Sequence, residues 1–219
     1  MGRMSFVIMP VLPAFVLVMS PAAAAERGSW RPLPDAIWQA MQGTSWHPGR
    51  GCPGREALAL LAVPYRDFSG HAQTGQLVVA RSVAVPVLTA FAAIYRSGFR
   101  IERMEPVSRF GGDDARSMAA NNTSGFNCRS VPGTNRLSDH GRGLAIDINP
   151  VQNPWVQGGV ADPPTGSAWA LPTQRRTGAH PGLITPGGPV VRAFGQIGWR
   201  WGGNWRNTKD YQHFTGRRR

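Results

Sequence analysis

Ser138-Asp139-His140-Gly141-Arg142-Gly143-Leu144-Ala145-Ile146-Asp147 is the stretch on which the reading of this 219-residue chain turns. From Leu144 onward the residues alternate, so period-2 geometry puts Leu144, Ile146 and Ile148 on one face and Ala145 and Asp147 on the other. That predicts a strand carrying an acid opposite its apolar side. The glycines before it predict a turn that folds His140 back towards Asp147. A second histidine with informative neighbours lies in Asp210-Tyr211-Gln212-His213. Two imidazoles and one carboxylate can hold a zinc ion and leave a fourth position open for water, the layout of a catalytic zinc site, with Asp210 left over as a base. The spacing alone leaves open the blander reading of hydrogen-bonded structural histidines. His47, His71 and His180 have no supporting motif and are read as structural.

Working outward, Asp35 to Met41 reads as a short helix with Ile37, Trp38 and Met41 on one face, and Glu56 to Ala62 as a second, stopped by Pro64. Gln76 to Ala80 reads as a strand. Pro86 to Ser97 is the clearest helix, with proline in its first turn and Gly98 at its end. Phe99 to Met104 reads as another strand, Pro189 to Gln196 as a last helix, and Tyr211 to Phe214 as a final strand. Residues 149 to 188 lack periodicity, and so long a loop in a small domain predicts a cleft wall or lid. Asn153-Pro154-Trp155 would be its anchored base and Gln174 to Gly178 its mobile part. Short helices mixed with separated strands predict an α+β domain with a small, mostly antiparallel sheet and flanking helices.

The motifs resemble those of the zinc D-alanyl-D-alanine peptidase family, above all the branch with bacterial L-alanyl-D-glutamate peptidases and phage endolysins. The pattern S-x-H-x-x-G-x-A-x-D appears as Ser138 to Asp147, and D-x-x-H-F as Asp210 to Phe214. Asn121-Asn122-Thr123-Ser124 and the Gly-Trp-x-Trp-Gly-Gly-x-Trp run from Gly198 to Trp205 are similar to further segments of that branch. The resemblance covers about Leu77 to Phe214. It implies a hedgehog/DD-peptidase-like zinc peptidase fold, with Zn2+ held by His140, Asp147 and His213 and with Asp210 as catalytic acid/base. By the same resemblance an arginine upstream of the first motif, here Arg129, polarises the scissile carbonyl; a surface or structural arginine is the alternative. Ser138 is a candidate for substrate binding or for shaping the turn. Trp199, Trp201 and Trp205 are read as core and cleft wall before carbohydrate platform, with Trp201 as the substrate-binding candidate.

The implied function is hydrolysis of an amide bond in peptidoglycan stem peptides by attack of zinc-bound water. Either an L-alanyl-D-glutamate endopeptidase or a D-alanyl-D-alanine carboxypeptidase or endopeptidase would use this site. The alternative is a non-catalytic cell-wall-binding module that keeps the peptidase fold, against which the intact Asp210 speaks.

The ends and the composition add the compartment. Arg3, the apolar run Phe6 to Met19 and Ala22 to Ala25 read as a secretory signal peptide over residues 1–25, so the mature chain is expected in the periplasm, outside the cell or in the cell wall. Pro10 and Pro13 and the shortness of the run speak against a spanning helix, so no stable membrane insertion is expected after cleavage. In an oxidising compartment the lone pair Cys52 and Cys128 is expected to form a disulfide. Residues 26–75 are expected to be a helical and loop extension packed on a domain spanning 76–216, with 217–219 a basic tail. The formal charge is +12, and all but Lys209 of the basic residues are arginine, a surface suited to an anionic cell envelope. Charge alone also suggests nucleic acid, but no helix-turn-helix, RRM or zinc-finger pattern is present, so no nucleic-acid partner is expected. A monomer is expected.

Overall fold

The computed structural model describes residues 26–177 and 180–216. The leader and the basic tail lie outside the described residues, as does Gly178 of the expected mobile segment. Strands β1 (Ser29–Pro32), β2 (Leu58–Arg66) and β3 (Ala72–Ala80) form an antiparallel sheet in that order. The helix expected over Glu56 to Ala62 is therefore a correction: a 3-10 turn at Arg55–Ala57 leads straight into β2. The error has a physical cause. Strand β2 is central and covered on both faces, so Leu58 to Leu61 are all buried and no alternation survives to betray a strand.

The two faces of β2 and β3 feed different cores. Ala59, Leu61, Val63, Leu77 and Val79 join the larger one, with Val87, Phe91 and Ile94 of helix α2 (Ala84–Arg96). Leu58, Leu60 and Val78 face Leu33, Met41 and Phe126, below helix α1 (Asp35–Met41). Helix α1 matches its expected span, and α2 begins two residues early. The boundary expected at residue 75 falls inside β3, and the N-terminal strands share the main core with the rest of the chain.

The expected single small sheet is instead several. Strand β4 (Arg103–Met104) pairs in parallel with β5 (Asn122–Thr123), so the strand expected over Phe99 to Met104 is much shorter. Strands β6 (Ala145–Asp147), β11 (His213–Thr215) and β9 (Arg200–Trp201) form an antiparallel sheet with β11 central. Its inner face places Ile146, Phe214 and Trp201 in register and buries them; each large side chain so buried contributes roughly 1.5–3 kcal/mol. Phe214 stacks on Phe194 of helix α3 (Pro189–Gln196) at 4.4 Å between ring centroids, and Phe194 meets Phe91 of α2 edge-on at 5.9 Å. This aromatic column fixes β11 to the body of the protein. Small helices and small, mostly antiparallel sheets make an α+β fold.

The segment expected to be one long loop holds a hairpin, β7 (Trp155–Gln157) and β8 (Val160–Asp162), and β7 also pairs with β10 (Lys209–Asp210). The expectation of a mobile Gln174 to Gly178 is corrected by Arg176, which is 2% exposed. Its guanidinium lies 4.1 Å from the Tyr211 ring centroid and donates to the carbonyls of Ile184, Trp169 and Gln152 and to Asn153 Oδ1. Arg176 is thus a staple tying the segment to the core. Arg176→Ala would strip the carbonyls of Ile184, Trp169 and Gln152 of this partner, Asn153 Oδ1 keeping the Ile184 N–H, and open a void, a loss of order 4 kcal/mol in urea unfolding. Arg176→Lys is expected to rescue little, since one ammonium cannot reach acceptors fanned around a planar group.

Cys52 and Cys128 are bonded, tying residues 76 positions apart. In the chain-entropy description a loop of that length contributes about 4 kcal/mol. The doubly substituted Cys52→Ser/Cys128→Ser protein is expected to lose most of it, and thiol titration of the denatured, unreduced protein to find no free thiol.

Candidate metal centre

Each candidate ligand is placed by a different piece of local structure. Asp147 and His213 sit directly opposite one another on β6 and β11, so their side chains leave the same face of the sheet. His140 comes from the 3-10 turn His140–Arg142, which ends at Gly143 with φ 70°. A Cβ on Gly143 would lie 2.4 Å from the Ala80 nitrogen, so the turn requires glycine here. The buried Asn121-to-Gly125 segment supplies the rest of the frame. Ser124 exchanges two backbone hydrogen bonds with Asp147, and the Gly125 carbonyl accepts a 2.7 Å hydrogen bond from His140 Nδ1. That bond consumes the Nδ1 proton and turns the Nε2 lone pair inward. A Cβ on Gly125 would lie 2.4 Å from the Val78 carbonyl oxygen, which explains glycine at this position too.

The three ligating groups form a small triangle, with a different oxygen of Asp147 facing each histidine. His140 Nε2 lies 3.1 Å from Asp147 Oδ2 and 3.2 Å from His213 Nδ1, and His213 Nδ1 lies 3.0 Å from Asp147 Oδ1. Tetrahedral zinc with bonds of ~2.0–2.1 Å has donor atoms about 3.3 Å apart, so the residues fit the ion. All three are buried. Burial opposes the charge on Asp147, but the adjacent His140 and His213 outweigh it and hold its pKa far below the usual carboxylate range. For His213 burial opposes protonation, and the hydrogen bond and charge of Asp147 outweigh it, raising its pKa. The group is a strongly polarised site, suited to a divalent cation.

Asp210 stands beside the triangle. Its Oδ1 is enclosed and has no hydrogen-bond partner within the protein, and burial pushes its pKa up to about 7, opposed by His213 and reinforced by Asp147. Arg129, half-buried, is held by Asp114 at 2.8 Å, lies close enough to favour the ionised form of Asp210, and has an enclosed Nε without a partner. Ser138 is buried, and its Oγ accepts from the His140 backbone N–H at 3.2 Å, which is turn-shaping work. Trp201 is 2% exposed and its indole N–H donates to the Tyr211 carbonyl at 2.7 Å, so its ring is chiefly core. The tryptophan that reaches the metal centre is Trp205, 38% exposed with its ring 5.5 Å from that of His213. His47, His71 and His180 are not part of the triangle.

Sequence reading missed the far wall. Asp210, Trp155 and Asp162 lie on one rung of β10, β7 and β8, so their side chains share a face. The pKa of Asp162 is raised by burial and by Asp114 and lowered by Arg129, which places it at the Arg129 end of this wall. Asp210 stands out by its motif, but no local signal marks Trp155 and Asp162 as its neighbours, because the hairpin that carries them lies in a stretch without periodicity.

The family model described as D-alanyl-D-alanine carboxypeptidase matches residues 132–216, a span that contains His140, Asp147, Asp210 and His213 and stops short of Arg129. This bears out the family resemblance drawn from the motifs. No curated protein and no solved structure matches the chain.

Proposed function

We propose that this chain, whose residues 132–216 carry the pattern of the D-alanyl-D-alanine carboxypeptidase family, is an exported zinc peptidase that hydrolyses an amide bond in peptidoglycan stem peptides. The observation that carries the reading is the buried His140, Asp147 and His213 triangle with the enclosed, partnerless Oδ1 of Asp210 beside it. A zinc ion held there would lower the pKa of a bound water to ~7 and polarise the substrate carbonyl. The protein's own groups do the remaining work. Asp210, with its enclosed and partnerless Oδ1, takes the proton of the attacking water and returns it to the leaving amine. Arg129, fixed by Asp114, faces the negative charge that grows on the carbonyl oxygen. Gly125 keeps the His140 ring aimed.

The disulfide supports export, and no helix among the described residues is long and apolar enough to cross a membrane. The formal charge of +12, or +11 once a leader carrying Arg3 is removed, would concentrate the protein at an anionic envelope, an attraction that weakens with salt. A binding module without turnover would have no use for a carboxylate enclosed beside the triangle at the expense of stability.

Mass spectrometry of purified muropeptides incubated with the zinc-loaded protein tests the reading and identifies the bond cut. Zinc-dependent appearance of stem-peptide fragments is expected, and intact muropeptides at full zinc occupancy would refute it. Arg129→Ala is expected to lower kcat ~10²–10³-fold with zinc content unchanged, as loss of one oxyanion donor does. An unchanged kcat would reduce Arg129 to a structural partner of Asp114.

A further inference from the structure

The face of the β6–β11–β9 sheet that carries the ligands does not end at them. Thr215, two residues beyond His213, projects from the same face, and Arg200 lies opposite it on β9. Asp139, next to His140, accepts a hydrogen bond from the Thr215 hydroxyl at 3.0 Å. These side chains, with Asn204 and Trp205, line a groove of about 880 Å³, a size within the ~300–1,000 Å³ typical of ligand sites. Trp205 stands where groove and metal centre meet, since it lines the one and its ring lies 5.5 Å from His213 in the other. The groove therefore adjoins the candidate metal centre at Trp205, while His140, Asp147, Asp210 and His213 are not among its lining residues.

The lining selects the chemistry of the occupant. Trp205 offers an exposed indole, Asn204 an amide that both donates and accepts, and Arg200 a planar cluster of donors, while the Asp139 carboxylate is already engaged by the Thr215 hydroxyl. A pyranose ring has the complementary surface, with C–H groups on its faces and hydroxyl and acetamido groups around its edge. We propose that this groove is a saccharide subsite that holds an N-acetylated amino sugar of the glycan strand while the attached stem peptide lies across the metal centre. The proposal rests on the peptidase reading for the identity of the peptide, and it makes the preferred substrate a glycan-linked peptide. It also divides the tryptophan-rich run by role. Trp199 and Trp201 also line the groove but, at 7% and 2% exposed, are chiefly core and form its floor, and Trp205 is the platform.

Two measurements test it. Equilibrium dialysis of the full chain with triacetylchitotriose, with and without zinc, is expected to show binding that does not require the metal. The Arg200→Ala/Asn204→Ala protein, altered at two exposed positions, is expected to bind it at least about tenfold more weakly. Absence of binding, or equal affinity of the two proteins, overturns the subsite. In the second measurement kcat/KM is compared for a stem peptide with and without its disaccharide. The unaltered protein is expected to favour the disaccharide-linked form through KM, and in the double variant the ratio falls towards one. A ratio of one in the unaltered protein, or one unmoved by the substitutions, overturns the proposal. Failure to cut either substrate refutes the peptidase reading, and the dialysis still decides the groove.

Discussion

His213→Ala is expected to lose zinc and peptide hydrolysis together. The three ligating groups approach one another at 3.0–3.2 Å, a different oxygen of Asp147 facing each histidine, and each group comes from a different frame: His140 from a glycine-bounded turn, Asp147 from β6 and His213 from the central strand β11. Two remaining ligands cannot close a site that needs three protein donors and an open position. The backbone of β11 stays paired on both sides and Phe214 keeps its stack on Phe194, so the variant is expected to fold. Elemental analysis checks the metal and muropeptide turnover the activity. Stoichiometric zinc in the purified variant would show that His213 is not a ligand. Acidification is expected to release the metal from the unaltered protein, because the raised pKa of His213 lets protons compete for its ring nitrogen at a higher pH than for an ordinary histidine.

Asp210→Asn is expected to keep zinc and fold but to turn over muropeptides roughly 10²–10⁴-fold more slowly, the range general acid–base catalysis supplies. Asparagine fills the same volume and cannot accept the proton. A stability measurement separates this from a structural defect. The folded pKa of Asp210 is raised to about 7 by burial, above the value of an unfolded chain, so the native state holds a proton that the unfolded chain gives up. This group's contribution to stability is therefore full below about pH 4 and declines as pH rises towards 7. The metal-free Asp210→Asn protein is accordingly expected to unfold at a higher urea concentration than the unaltered protein at about pH 8. Lower stability together with lower activity would make Asp210 a structural residue, and near-normal turnover would exclude it as the base.

The parts legible in advance were those in which neighbouring residues carry the whole signal. Proline and glycine bound helices α1 and α3, whose spans agree with expectation, because caps and breakers act within a turn of chain. Strand β6 was visible because its two faces meet different surroundings, apolar core on one side and the metal centre on the other. Strand β2 was misread because both of its faces meet core, which erases the period that distinguishes strand from helix.

What the chain by itself determined is the chemistry: two imidazoles and two carboxylates in spacings that suit a metal and a base, and a cysteine pair. Which groups meet was decided only by tertiary structure. Arg176 has the composition of a mobile surface loop and becomes a buried staple, because acceptors from residues 152, 153, 169 and 184 converge on its plane. Asp162 comes to share a rung with Asp210, across Trp155, only through the register of the β8–β7–β10 sheet. Trp201 and Trp205 are the same residue type four positions apart, yet one is core and the other faces the cleft. Burial and convergence are sums over distant segments, and no local window of sequence contains them.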